Sequence, residues 1–204
     1  MTGRLTIYGD RISGNCLKVK WVARHAGVNF DWIDVSVAMG ETQTDEFRQL
    51  NPFGQAPVVV FPDGRSLAQS NAIIFAIADM SSSRLIPLDG FARAEMLAWM
   101  FWEQYSHEPA IAVRRYRKAI LRRTDAELDP ALLEKGERAL THLEQTFRGP
   151  FLLGEEASLA DVAIVAYTRV ADEGGFDLAS RPRTRAWISR VERAFDIPET
   201  EGRA

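Results

Sequence analysis

Every strand signal in this chain falls within about the first eighty residues, where strands alternate with helices, and everything beyond Leu88 reads as helix. The run Ser81-Ser82-Ser83-Arg84-Leu85-Ile86-Pro87-Leu88 is polar and then proline-bearing, as inter-domain segments are. Residues 1–80 are therefore expected to form an α/β domain, 81–88 a linker and 89–204 an all-helical domain. With 204 residues, 46% of them hydrophobic, the chain can fill one large core or two small ones.

In the first part, Leu5-Thr6-Ile7-Tyr8 is a short strand, and residues 18–26 form a helix that Gly27 stops. Residues 30–35 alternate apolar and polar like a half-buried strand, and residues 44–50 can form one or two helical turns. Residues 58–61, the turn Pro62-Asp63-Gly64 and residues 65–67 read as a hairpin, after which Ser70 caps a helix through Ala78. The order βαβ, then α, then ββα is the thioredoxin-like pattern. In the second part, residues 91–116 form a long helical run, bent at Pro109 where a backbone donor is missing. Asp129-Pro130 opens a helix to Phe147. Ser158-Leu159-Ala160-Asp161 is a capping box before residues 162–167, which are apolar on all sides and hence central in a helical bundle. Residues 183–195 form the last helix.

Composition removes several classes of function. A net charge of −3, from 25 basic and 28 acidic residues, argues against nucleic acid or an anionic membrane as partner. The single cysteine excludes an intramolecular disulfide and points to a reducing compartment. The N-terminal residues carry no long apolar run, so no signal peptide is expected, and no later stretch is long enough to span a bilayer. A cytoplasmic protein is the expectation. His25, His107 and His142 lack metal-ligand spacing, so no metal is expected.

The chemistry concentrates at three points. At the first strand-to-helix turn, Ile12-Ser13-Gly14-Asn15-Cys16 spaces Ser13 and Cys16 like a Cys-x-x-Cys motif with serine in the attacking position. A hydroxyl there cannot exchange disulfides, but it can donate a hydrogen bond to a thiolate brought by a ligand. Cys16, in the inward position, is expected to be a small buried hydrophobe. At Pro57 the apolar strand Val58-Val59-Val60-Phe61 is entered through a proline, and a cis peptide would expose the preceding backbone to an extended peptide ligand. At Gln69-Ser70 an amide, a hydroxyl and helix-terminal N–H groups suit a ligand carboxylate.

Asn51-Pro52-Phe53-Gly54-Gln55-Ala56-Pro57, Gln69-Ser70-Asn71-Ala72-Ile73, Phe101-Trp102-Glu103-Gln104-Tyr105-Ser106-His107-Glu108-Pro109 and Ser158-Leu159-Ala160-Asp161-Val162-Ala163 together resemble the cytosolic glutathione transferase superfamily over nearly the whole chain. The turn Ser13-Gly14-Asn15-Cys16 is similar to bacterial members close to the theta and nu classes. The resemblance implies a thioredoxin-like domain followed by an all-α bundle. It also implies a homodimer with glutathione as co-substrate and a small hydrophobic electrophile as second substrate. By resemblance Ser13 and Asn15 contact the thiolate, Pro57 is the cis proline with Val58 pairing to the cysteinyl part, and Gln69 and Ser70 hold the γ-glutamyl end. Gln55 meets the glycine carboxylate. Trp102, Tyr105 and Arg114 are the candidates for the electrophile, expected between the turn and the long helix. Phe53 would insert into a partner subunit. Relatives more often carry glutamate for Gln69 and lysine for Gln55, so weak glutathione binding is expected. Two other functions fit the same residues: a glutathione-dependent disulfide reductase or peroxidase, and a non-catalytic binding protein of the same fold.

Overall fold

The computed structural model describes residues 3–204, and its internal contacts divide the chain into two compact units, Met1–Ile86 and Pro87–Ala204.

The first unit carries β1 (Leu5–Gly9), α1 (Gly14–His25), β2 (Phe30–Asp34), α2 (Asp45–Leu50), β3 (Val58–Val60), β4 (Ser66–Ala68) and α3 (Ser70–Met80). The sheet order is β2-β1-β3-β4. β1 and β2 run parallel, since α1 returns the chain to the same end, and the other pairs are antiparallel. Val35, Phe47 and Val58 bury together, with Tyr8 and Ala68 against them. Gly9 lets the Trp32 ring cross the end of β1: a Cβ there would lie 2.5 Å from the ring. α1 begins at Gly14, earlier than its apolar periodicity suggests, because Gly14 and Asn15 are weak helix formers held there by the turn before them. Gly27, with φ 65°, stops it as expected. α2 starts where the Thr44 hydroxyl accepts from the Phe47 N–H. At α3 the sequence reading needs correction: Gln69 is the N-cap, and Ser70 is the first helical residue.

The second unit is helical: α4 (Gly90–Trp102), α5 (Glu108–Arg115), α6 (Pro130–Thr146), α7 (Leu159–Thr168) and α8 (Pro182–Ala194). Within the long run read over residues 91–116, a π turn at Glu103–His107 precedes Pro109, and a second π turn, Tyr116–Ile120, follows α5. Pro109 itself sits in the first turn of α5, directly after that π turn. Ile111, Leu140, Tyr167 and Phe176 form the core. At Gly136 an added Cβ would lie 2.4 Å from the Phe176 ring, so α6 needs glycine at this crossing. All ten residues of α7 are buried.

Asp161 ties this unit together. Its Oδ2 accepts from the Ser158 N–H at 2.9 Å and the Ser158 hydroxyl at 3.0 Å, completing the capping box. Its Oδ1 accepts from the Leu152 N–H at 2.9 Å and from Trp187 Nε1 on α8 at 2.8 Å. Burial pushes the carboxyl above its ordinary pKa, against the pull of the hydrogen bonds from Trp187, Leu152 and Ser158. Among the described residues, no helix is long and apolar enough to cross a membrane.

Candidate functional site

The turn between β1 and α1 is shaped by Asp10, which the sequence reading passed over. Its carboxylate accepts from the Ile12 N–H at 2.9 Å within the turn, and from the Val37 N–H at 2.9 Å beyond β2. Ser13 occupies the N-cap of α1 in extended conformation, φ −82° and ψ 117°, partly open to solvent. Cys16 is wholly buried, as expected. Burial pushes its thiol up to about 11, and hydrogen bonds from the Ser13 side chain and the Asp10 backbone pull it back only part of the way. At neutral pH Cys16 is a protonated, enclosed thiol.

The loop before β3 is built around Asn51, 2% exposed. Its Nδ2 donates to the Gln55 carbonyl at 2.7 Å, and its Oδ1 accepts from the Phe53 N–H at 3.2 Å. Gly54, at φ 62°, closes the loop, and Gln43 donates to its carbonyl at 2.8 Å. The Ala56–Pro57 peptide is cis. Gln55 is exposed and Pro57 buried. Val58 stands inside the sheet, completely buried, opposite Tyr8 on one side and Ala68 on the other. Its backbone is thus flanked by strands; Pro57, the first residue outside the sheet, has no N–H, and Ala56 is the next residue of this segment. Phe53 does not fold back onto its own unit; it is 74% exposed.

The third point is the start of α3. Gln69 is exposed and held at φ 69°, ψ 107°, a left-handed conformation that an L-residue adopts at a cost of about 1–3 kcal/mol. Such a conformation turns the chain sharply enough to open the first turn of α3. Ser70 is 6% exposed, and its hydroxyl donates to Asn15 Oδ1 at 3.1 Å. That bond joins the first and third points across a separation of 55 residues.

The residues offered for the electrophile fare differently, and all three lie in the second unit. Tyr105 is 88% exposed. Trp102 is half-buried in a ring cluster, edge-on to Trp99 at 5.2 Å and tilted against His107 and His142 at 5.7 and 5.4 Å. Arg114 must be corrected. It is buried, its Nε donates to the Gly174 carbonyl at 2.8 Å, and its NH2 group pairs with Asp125 at 2.6 Å. Those bonds make it a brace within the helical unit rather than a group presented to a ligand.

An α/β unit of thioredoxin-like topology followed by an all-helical unit is the architecture of the cytosolic glutathione transferases. The chain belongs to that superfamily: residues 12–80 match the glutathione S-transferase N-terminal domain, and residues 96–194 match the C-terminal domain. The crystal structure of a glutathione S-transferase from Pseudomonas fluorescens superposes with a TM-score of 0.90 at 40% identity, over 97% of this chain and 99% of the other. Glutathione S-transferase 3 of Zea mays is 28% identical over 92% of this chain and 88% of its own length. The transcriptional regulator URE2 of Saccharomyces cerevisiae is 24% identical over 92% of this chain, which spans 65% of that protein's length.

Proposed function

We propose that this protein is a glutathione transferase, close to the theta and nu classes, that activates the glutathione thiol for attack on a small hydrophobic electrophile. The observation that carries this reading is the Ser70–Asn15 hydrogen bond, which brings the Ser13 turn against the start of α3. Glutathione offers a thiol, an extended backbone and carboxylates at its two ends, and the three points of the site match these in kind. The Ser13 hydroxyl, at the N-terminus of α1, donates to the thiolate while the helix dipole favours its charge. The Asn15 amide supplies a second donor. The main chain at Ala56, before Pro57 and Val58, pairs with the cysteinyl part, because Val58 itself is enclosed in the sheet. Gln69 and the first turn of α3 take the γ-glutamyl end, and exposed Gln55 meets the glycine end. Tyr105 remains the candidate contact for the electrophile. The protein works in the cytoplasm as a homodimer, with exposed Phe53 anchoring the partner.

The alternatives separate on measurable grounds. A disulfide reductase or peroxidase working through a protein thiol would need a reactive cysteine, and Cys16 is buried and protonated; one that draws its electrons from glutathione alone would show as reduction of a disulfide or peroxide substrate without conjugation. A non-catalytic binding protein would bind glutathione without turnover; the URE2 relative is named a transcriptional regulator. Calorimetric titration of glutathione, paired with conjugation to a chloronitrobenzene, decides. Binding with conjugation is expected; binding without conjugation leaves a binding protein or, where a disulfide or peroxide is reduced instead, a glutathione-dependent reductase, and no binding at millimolar glutathione defeats the whole reading.

A further inference from the structure

We propose that the loop following the second π turn, with Leu121 set among Arg117, Lys118, Arg122 and Arg123, docks on the surface of an anionic phospholipid bilayer. None of these residues is among those read as holding glutathione.

The segment Arg114-Arg115-Tyr116-Arg117-Lys118-Ala119-Ile120-Leu121-Arg122-Arg123 places six cations in ten positions of a chain whose net charge is −3. Folding assigns them different tasks. Arg114 and Arg115 are buried braces, the first bonded to Gly174 and Asp125, the second paired with Glu173 at 2.8 Å. Lys118 donates to both oxygens of Asp125, at 2.7 and 2.6 Å, and Arg123 reaches Glu127 at 3.1 Å. Arg117 and Arg122 are exposed, and among the described residues neither has an acidic partner. The loop's surplus is therefore Arg117, Arg122 and one of the two cations that share Asp125.

The backbone gathers these groups at one point. The Leu121 N–H donates to the Tyr116 carbonyl at 3.0 Å, and the Arg123 N–H folds back to the Arg117 carbonyl at 3.0 Å, so Arg117 and Arg123 stand side by side across the turn. Arg122 has φ 57°, the left-handed region in which a helix usually ends on glycine. Leu121 is 46% exposed, and every residue from there to Glu127 is exposed. The helix dipole accounts for cations in the last turn, such as Arg117 and Lys118, but not for Arg122 and Arg123 beyond it, nor for a leucine among them. That leucine selects the partner. The phosphate backbone of a nucleic acid offers an aliphatic side chain nothing, whereas at a bilayer the leucine enters the interface while the arginines meet the headgroups. The net charge of the chain does not oppose this, because charges more than about 8–10 Å from the lipid are screened at physiological ionic strength. Three surplus cations raise the partition onto anionic lipid about a hundredfold, enough for a weak and reversible contact.

The test is co-sedimentation of the whole chain with vesicles of phosphatidylcholine, alone or mixed with phosphatidylglycerol, at low salt and at about 1 M salt, where the screening length falls to about 3 Å. Wild type should sediment with the anionic vesicles at low salt, and should stay in solution with neutral vesicles or at high salt. Arg117→Gln and Arg122→Gln should each lower the partition about fivefold, and the double variant about 25-fold. Arg122→Lys, which keeps the charge, should bind as wild type does, so a disturbed turn cannot pass for a lost headgroup contact. Leu121→Ser should weaken binding and leave its salt dependence unaltered. Arg138→Gln, which removes an exposed cation of α6, should change nothing. Wild type that ignores anionic vesicles at low salt would overturn the proposal, as would equal binding to neutral ones. An Arg138→Gln loss as large as that of Arg117→Gln would reduce the attraction to overall charge and overturn it too. Retention of a DNA duplex in place of the vesicles would assign the cations to a phosphate backbone and defeat the choice of lipid.

Discussion

Replacing Asp161 by alanine should be among the most damaging single changes in the helical unit. The carboxylate accepts four hydrogen bonds, from Leu152 N, Ser158 N, Ser158 Oγ and Trp187 Nε1, all between 2.8 and 3.0 Å. Removing it strands three buried N–H donors, while the Ser158 hydroxyl can rotate to another acceptor. Each stranded donor costs about 1–3 kcal/mol. Against this, the variant no longer buries a carboxylate whose pKa burial has raised, which returns part of the loss. The net expectation is about 3–5 kcal/mol, or roughly 6–20 °C in melting temperature for a chain of this size. Asp161→Asn should fall between wild type and alanine, because its carbonyl can keep the Leu152 and Trp187 bonds while its NH2 group opposes the Ser158 N–H. The pH dependence is also fixed in sign. Since the folded carboxyl holds its proton to higher pH than the unfolded one, the extra stability of wild type over Asp161→Asn is greatest in acid and declines as pH rises through the folded-state pKa. Calorimetric melts of the three proteins from acid to neutral pH make the comparison. A loss below about 1 kcal/mol in Asp161→Ala would refute the accounting of stranded donors. A wild-type advantage that grows with pH would show instead that the donors outweigh burial.

Other expectations follow from the site. Ser13→Ala should weaken transition-state stabilisation in conjugation by about 1.5–3 kcal/mol with a smaller change in glutathione affinity, and unchanged turnover in steady-state assays would remove Ser13 from its role. Cys16→Ala should keep most activity, and native Cys16 should resist alkylation at neutral pH; a dead variant or a mixed disulfide trapped on Cys16 would make the protein glutaredoxin-like. Because the folded thiol keeps its proton from pH 9 to about 11 while the unfolded one loses it, wild type should lose stability across that window and Cys16→Ala should not, as alkaline denaturation curves can show. Sedimentation at low micromolar concentration should find a dimer that Phe53→Ser weakens by about 2 kcal/mol or more; a monomeric wild type defeats the dimer, and an unaffected dimer defeats the anchor.

The fold was legible where local chemistry dictates it. Gly27 had to end α1, Asp129-Pro130 had to open α6, and the Ser158–Asp161 capping box had to start α7, since each depends on residues a few places apart. The errors arose where distant contacts decide. Ser70 looks like a cap because serine usually is one, but its hydroxyl is claimed by Asn15, 55 positions away in sequence. Arg114 was offered to a ligand as a cation on the long helical run, and its true partners, Gly174 and Asp125, lie on segments that a local reading of that run cannot bring into view. Asn51 and Asp10 were given no role although they shape the candidate site, because a side chain that binds loop backbone leaves no periodic trace. The π turn before Pro109 was not foreseen for a related reason: proline is easy to see, whereas a single wide turn follows from how the long run packs.

α7 is a helix without an outside. No residue of α7 is more than 7% exposed, so in isolation the segment, ten residues long, would have neither its packing nor the length to hold a helix. It becomes helical only as the surrounding helices close over it, and they in turn have no common floor until it arrives. The helical unit should therefore lack stable smaller pieces. A fragment ending before α8 would leave one flank of α7 bare, and a ribosome that has released α7 but not α8 holds an adhesive intermediate. Chaperone demand in the cell, and inclusion bodies on expression of truncated chains, would then trace to one short stretch near the end of the sequence.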